Sequence, residues 1–355
     1  MTNQDDVKFI ISQRIREHAD KWTWRYLSKN ESITMDIIEE NADLPWFTNQ
    51  ITMNPNITWS FIIKHIEYYK NERWPWQYIS AHKCVTIDIV KSYPDLPWDF
   101  GCFSRNISIT INDVLKNIEL PWDWRKLSLN SSITWDDVQN HVDLPWCMDM
   151  MSGNPNITWD IIKKNPNINW DYKFFSMNVN FTNEILQNNP DVQFDRFHIF
   201  NIHYIQSCPW YYSIDLSWEM LNQYKIQNCI YLSPNLTWEI VRDNQDRPWD
   251  YSKLSLNQNI TWEIVRDNKD KPWDYSELSL NKNINWDIVR DNQDKPWDWE
   301  NLSLNPNILK LTNQDVKFLS SVRYIQDMWR NALYNPKYAV CRRRILTEFN
   351  ELGNI

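Results

Sequence analysis

Residues 232–308 read LSPNLTWEIVRDNQDRPWDYSKLSLNQNITWEIVRDNKDKPWDYSELSLNKNINWDIVRDNQDKPWDWENLSLNPNI. The stretch repeats every 24 residues and carries tryptophan at two phases: Trp249, Trp273 and Trp297 follow proline, while Trp238, Trp262 and Trp286 follow threonine or asparagine. A fixed period of this length marks stacked supersecondary units, none of which can bury its apolar face alone. Upstream, the proline phase continues through Trp22, Trp46, Trp76, Trp98, Trp122, Trp146, Trp170 and Phe194, and the other through Met35, Trp59, Ile87, Ile111, Trp135, Trp159 and Asn183. Most steps are 24 residues, but Trp46 to Trp76 is 30 and Trp76 to Trp98 is 22. About twelve units fill residues 21–310.

Each unit reads as two short helices. Thr237, Thr261 and Asn285 are placed to cap the first, with Glu239, Glu263 and Asp287 just inside to complement the helix dipole. Asp246 is expected to cap the second, with Pro248 in its first turn, where a missing N–H does no harm. The chain has only three glycines, so asparagine is left to take the left-handed position at helix ends. Asn244, Asn268 and Asn292 fall after the first helix, and Asn257, Asn281 and Asn305 after the second. Ile240, Val241, Trp249, Leu254 and Leu256 recur at fixed phase as the expected core. The Asn-x-Ser/Thr triplets are then caps and turns, not glycan acceptors. These features predict an all-α solenoid of about twelve short helix-turn-helix repeats of 24 residues. The alternative is a leucine-rich-repeat-like α/β solenoid with a strand on each LSL, which leaves the recurring Pro-Trp-Asp unexplained. The tryptophans read as knobs sealing repeat to repeat, against an exposed aromatic surface for sugars or peptides.

No Gly-, Ser- or Pro-rich linker divides the chain, so one elongated domain is expected. Residues 1–20 form an N-terminal capping helix with Val7, Ile10, Ile11 and Ile15 on one side, residues 21–310 the solenoid, and residues 311–355 a C-terminal helical cap. Phe318, Val322, Ile325 and Trp329, then Tyr338, Cys341, Ile345 and Phe349, carry the helical spacing of that cap.

Several function classes are disfavoured. Gly101, Gly153 and Gly353 cannot assemble a phosphate-cradling loop. A formal charge of −9 opposes nucleic-acid binding. No apolar run is long enough to span a bilayer, and the first residues lack a signal-peptide core. The six cysteines form no CxxC and are expected reduced, and the six histidines show no zinc spacing. No acid and base pair is singled out. The expectation is a non-enzymatic protein without cofactor or metal that binds a protein partner.

Candidate contact sites lie where the pattern breaks. One is the insertion HIEYYKNERWPW, with Tyr68, Tyr69 and Trp74. The second is FDRFHIFNIHYIQSCPWYY, with His198, His203, Tyr211 and Tyr212. The third is the basic run Arg342, Arg343 and Arg344.

The units NPNITWDIIKKNPNINWDY and ITWEIVRDNKDKPWDYSELSLN, with the terminal YNPKYAVCRRRILTEFNEL, resemble the tandem-repeat proteins encoded in many copies by giant DNA viruses of the mimivirus kind. The likeness covers nearly the whole chain, with Phe194 and Asn183 as departures. Abundant Asn, Ile and Asp, with alanine only at Ala19, Ala42, Ala81, Ala332 and Ala339, also suits an AT-rich genome. The resemblance implies no known activity. The expected function is a viral protein–protein interaction scaffold directed at host proteins, in the host cytoplasm or the virion; the alternatives are a structural virion component and a carbohydrate binder using exposed tryptophan.

Overall fold

The computed structural model describes residues 4–66, 74–194, 231, 236–334, 337 and 343. Among them every regular element is a helix, and most are four to six residues long. Such helices are far too short to hold in water alone, so their stability is tertiary. The architecture is a helical repeat solenoid, and the strand reading of LSL is overturned: Leu278 and Leu280 lie within the helix Tyr275–Leu280.

A unit begins at the Thr-Trp phase. Helices Trp238–Asp243, Trp262–Asp267 and Trp286–Asp291 are preceded by Thr237, Thr261 and Asn285 at their N-caps. Asn285 accepts the N–H of Ile288, and Thr110 and Thr134 form full capping boxes. Thr237 and Thr261 do not cap with their side chains. Instead their hydroxyls hydrogen-bond Glu239 and Glu263, whose carboxylates are held below the usual range first by their own backbone N–H and then by that hydroxyl.

The second helix starts later than expected. Tyr251–Leu254 is capped by Asp250, which accepts the N–H of Lys253, so Pro248 and Trp249 precede the helix and Asp246 is not its cap. This explains the invariant order Pro-Trp-Asp within these units: proline and tryptophan shape the approach and aspartate opens the helix.

The asparagines also depart from expectation. Asn244, Asn268 and Asn292 have φ of −123°, −125° and −135°, and Asn281 and Asn305 both have −65°, so none is left-handed. Asn244 folds its amide back on the Ile240 carbonyl at 2.8 Å, and its own carbonyl accepts the indole N–H of Trp249 at 2.9 Å. The same bond from tryptophan to the carbonyl five residues earlier recurs at Trp46, Trp98, Trp122, Trp146, Trp170, Trp273 and Trp297. Each of these indoles thereby closes its own loop, and those of Trp122, Trp273 and Trp297 pack against a ring of the preceding unit.

Asn257, Asn281 and Asn305 do different work. Asn281 is buried, and its amide reaches the carbonyls of Ser255 at 2.8 Å, Asn257 at 3.0 Å and Ile260 at 3.3 Å, all in the preceding unit. Its Oδ1 accepts the N–H of Asn283 at 2.9 Å. Asn54, Asn106, Asn154 and Asn305 make the same three inter-repeat contacts. A buried serine completes the rung: Ser255 Oγ accepts the N–H of Asp274, one unit on, and donates to Tyr251. These polar columns satisfy backbone groups that a stack of short helices would otherwise leave orphaned in its interior. Val241, Trp249, Leu254 and Ile260 are buried beside them, whereas Ile240 and Leu256 are only partly covered.

The first and last units abut. Thr23 N–H donates to Ser303 Oγ at 3.0 Å, and Asn30 donates to the carbonyls of Ser303 at 3.0 Å and Asn305 at 3.1 Å. Ser32 Oγ donates to the Pro306 carbonyl. Trp22 meets Trp299 edge-on at 4.9 Å, as Trp297 meets Tyr275 at 5.3 Å and Trp273 meets Tyr251 at 5.2 Å. The first repeat therefore sits on the last as though it were the next copy. One core runs through this junction, from Ile260 to Leu309 and on from Ile11 to Leu127. The terminal helices Gln4–Glu17 and Asn313–Tyr334 consequently meet at the junction, not at opposite ends of an elongated stack. Arg14, 3% exposed, donates to the Ile308 and Lys310 carbonyls and to Asp315, lies over the Trp286 ring, and is joined there by the pairs Arg323–Asp6 and Lys310–Glu31. Burial lowers the Arg14 pKa and Asp315 opposes it.

Candidate interaction surface

The insertion follows the helix Trp59–Ile66. Trp74 is only 7% exposed, and Trp76, not Trp74, opens the helix Trp76–Ala81, with Pro75 at the cap position that Asp99 holds in the next unit. Trp74 is thus the proline-phase tryptophan of its unit, 24 residues before Trp98, and the inserted length is four residues. It is a packing residue and is withdrawn as a contact candidate. Tyr68 and Tyr69 lie outside the described residues, as do His198, His203, Tyr211, Tyr212, Arg342 and Arg344. Arg343 is helical and exposed.

His82 stands where the ladder has asparagine. Its Nδ1 accepts the Cys84 N–H at 3.2 Å, as Asn281 Oδ1 accepts from Asn283, and its carbonyl accepts from Asn106. Burial, then Lys83, lowers its pKa below the ordinary 6.5, against the opposing Asn54 backbone hydrogen bond. The unfolded chain therefore binds more protons just below pH 6.5, and stability is full above that value and falls as the pH drops toward the folded pKa. His82→Asn is expected to complete the rung and reduce this loss, so that the variant gains on wild type as the pH falls from 7 to 5 in parallel urea titrations. Burial lowers His18 as well, so some acid sensitivity persists in the variant. A constant difference across that range would contradict this role for His82.

No grouping of three His, Cys, Asp or Glu able to hold a metal occurs among the described residues. Cys84, Cys102 and Cys147 are free thiols, and burial pushes Cys84 up to about 11, which leaves it poorly nucleophilic at neutral pH. No helix among the described residues is long and apolar enough to cross a membrane. An open groove of about 620 Å³ lies between the N-terminal helix and Glu40–Asn41, but Lys8 already faces Asp5, Asp36 and Glu40, and Arg16 faces Asp43.

The surface that stands apart is the C-terminal helix. It opens with Thr312 N–H on Asp315 and Asp315 N–H on the Thr312 hydroxyl, and Leu319 is buried in its first half. From Tyr324 to Asn331 every residue is exposed. Tyr324 is 67%, Ile325 53%, Met328 53% and Trp329 59% exposed. Ile325, Met328 and Trp329 fall three and four residues apart on one face, with Phe318 two turns earlier on the same side. Among the described residues Trp329 is the one tryptophan in the exposed class; those of the repeats are buried or half-buried. The sequence placed Ile325 and Trp329 only at the helical spacing of a C-terminal cap, so this face was missed as a contact surface. In comparisons with known proteins, no family model, no curated protein and no solved structure matches this chain.

Proposed function

We propose that this chain is a non-enzymatic repeat scaffold for protein–protein interaction, and that a protein partner docks on the projecting half of the C-terminal helix. The observation that carries the reading is the exposed set Tyr324, Ile325, Met328 and Trp329, beside repeats whose described tryptophans, asparagines and serines are largely committed to holding unit to unit. A helix that offers anchors at this spacing fits an apolar groove on another protein. Tryptophan and tyrosine supply contact area with few rotatable bonds to order. The resemblance to giant-virus repeat proteins is the reason for seeking that partner among host proteins.

The test is affinity capture from host cells with tagged full-length chain, beside the double variant Ile325→Asp, Trp329→Asp. Both positions are exposed, so the repeats of the variant are expected to fold unchanged, with circular dichroism as the check. A near-stoichiometric protein recovered by wild type and lost at least tenfold by the variant is the expected result. Retention by the variant would move the site elsewhere, and recovery of nothing specific would contradict the scaffold itself.

A further inference from the structure

We propose that the junction between the last and first repeats also forms between two copies of this chain, the last repeat of one seating on the first repeat of the other. The inference is independent of the docking face on the C-terminal helix. It rests on the chemistry of the junction, which is that of an ordinary inter-repeat interface. Ser303 receives Thr23 N–H as Ser279 receives Asp298 N–H, both at 3.0 Å. Asn30 reads the carbonyls of Ser303 and Asn305 as Asn305 reads those of Ser279 and Asn281. Trp22 packs on both Trp286 and Trp299, as Trp297 packs on both Trp262 and Tyr275.

Nothing in these contacts depends on which chain supplies the next unit. Internal interfaces join residues 19 to 26 apart, so closure within one chain is strongly favoured there. The junction joins Thr23 to Ser303, 280 residues apart. Loop-closure entropy grows with the logarithm of loop length, so the advantage of closing within one chain is smaller here than at any interface between sequential units. The contact is also heterologous: the surface carrying Ser303 and Trp299 differs from that carrying Thr23 and Asn30, so one chain offers both halves and a second copy fits either.

Complementation between two full-length variants tests this. One loses the first-repeat half through Trp22→Ala with Asn30→Asp, and the other loses the last-repeat half through Trp299→Ala with Ser303→Ala. Each alone lacks a working junction and is expected to stay monomeric; mixed, the intact last repeat of the first variant meets the intact first repeat of the second. The expected result is a 1:1 complex of twice the monomer mass by mass photometry, present in the mixture and absent from each variant alone. A second measurement does not depend on the variants folding: wild-type chains of two isotope compositions are mixed at high concentration and read by native mass spectrometry. Mixed-mass dimers that Trp22→Ala, Asn30→Asp in both partners abolishes are expected. Only monomers in both experiments, or mixed dimers indifferent to those substitutions, would overturn the proposal.

Discussion

Asn281→Ala is expected to destabilise the stack by about 4 kcal/mol, more than any surface substitution of similar size. The change withdraws a buried amide from three carbonyls of the preceding unit and strands the Asn283 N–H that its Oδ1 accepted. A buried backbone group left unpaired costs about 1–3 kcal/mol, and water has no easy route to this column. The Ile260 carbonyl keeps its bond from Asn283 and the Asn257 carbonyl keeps that from the Ile260 N–H, which tempers the sum and leaves the Ser255 carbonyl and the Asn283 N–H as the groups stranded. Asn283→Ala is the informative neighbour: the Gln258 carbonyl it releases is at the surface, so a loss of about 1 kcal/mol is expected. Chemical denaturation followed by circular dichroism compares them, and hydrogen exchange locates the loss at the two units that share the rung, since repeat arrays lose structure by neighbouring units. Equal losses at the two positions would mean that the buried column does not carry the inter-repeat stability assigned to it.

The second large effect is at Trp122. It is buried, stacks on Phe103 at 5.7 Å, and donates its indole N–H to the Asn117 carbonyl at 2.8 Å. Trp122→Ala empties an aromatic site in the middle of the core and is expected to cost about 4 kcal/mol. Trp122→Phe keeps much of the apolar contact and loses the hydrogen bond, so about 1–2 kcal/mol is expected. The two variants separate the roles of the proline-phase tryptophans, packing and loop closure, in thermal or urea unfolding. An alanine variant no worse than the phenylalanine one would contradict the packing role.

What the sequence made legible is what is encoded locally. Thr-Trp starts, a 3.6-residue apolar rhythm inside LTWEIVRDN, and the 24-residue period itself name helices and their stacking. What it hid lies between units. Asn281 reads locally as a helix end, because asparagine is the usual substitute for glycine there, yet its partners sit 21 to 26 residues back. No local propensity reports such a bond. The proline-phase assignment of Trp76 failed for a similar reason: Pro75 lies between two tryptophans, and the rule of tryptophan after proline selects the wrong one. Counting back from the serine column resolves it, since Ser80 lies 24 residues before Ser104, as Trp74 does before Trp98.

The meeting of first and last units also left a trace. Terminal repeats of an open solenoid expose one face to water and depart from consensus there. Here Trp22, Ser28 and Asn30 match the phases of Trp297, Ser303 and Asn305, so the first unit is a regular copy built to sit on another. The exposed face of the C-terminal helix was harder to anticipate. A stripe such as Ile325 and Trp329 has the same spacing whether it faces a core or a partner, and periodicity alone gives no direction.

The measurement that bears most directly on the account is zero-length carbodiimide crosslinking of the dilute full-length protein, read by mass spectrometry of the monomer band. Lys310 Nζ lies 3.3 Å from Glu31 Oε1 across the junction, and both side chains are about half exposed, so the reagent reaches the pair and can convert it to an amide. A Lys310–Glu31 linked peptide from monomeric protein, weakened by Trp22→Ala, Asn30→Asp, is the predicted result. A monomer that yields internal crosslinks such as Lys64–Glu39, at 2.9 Å, but none between Lys310 and Glu31 would contradict a first repeat seated on the last.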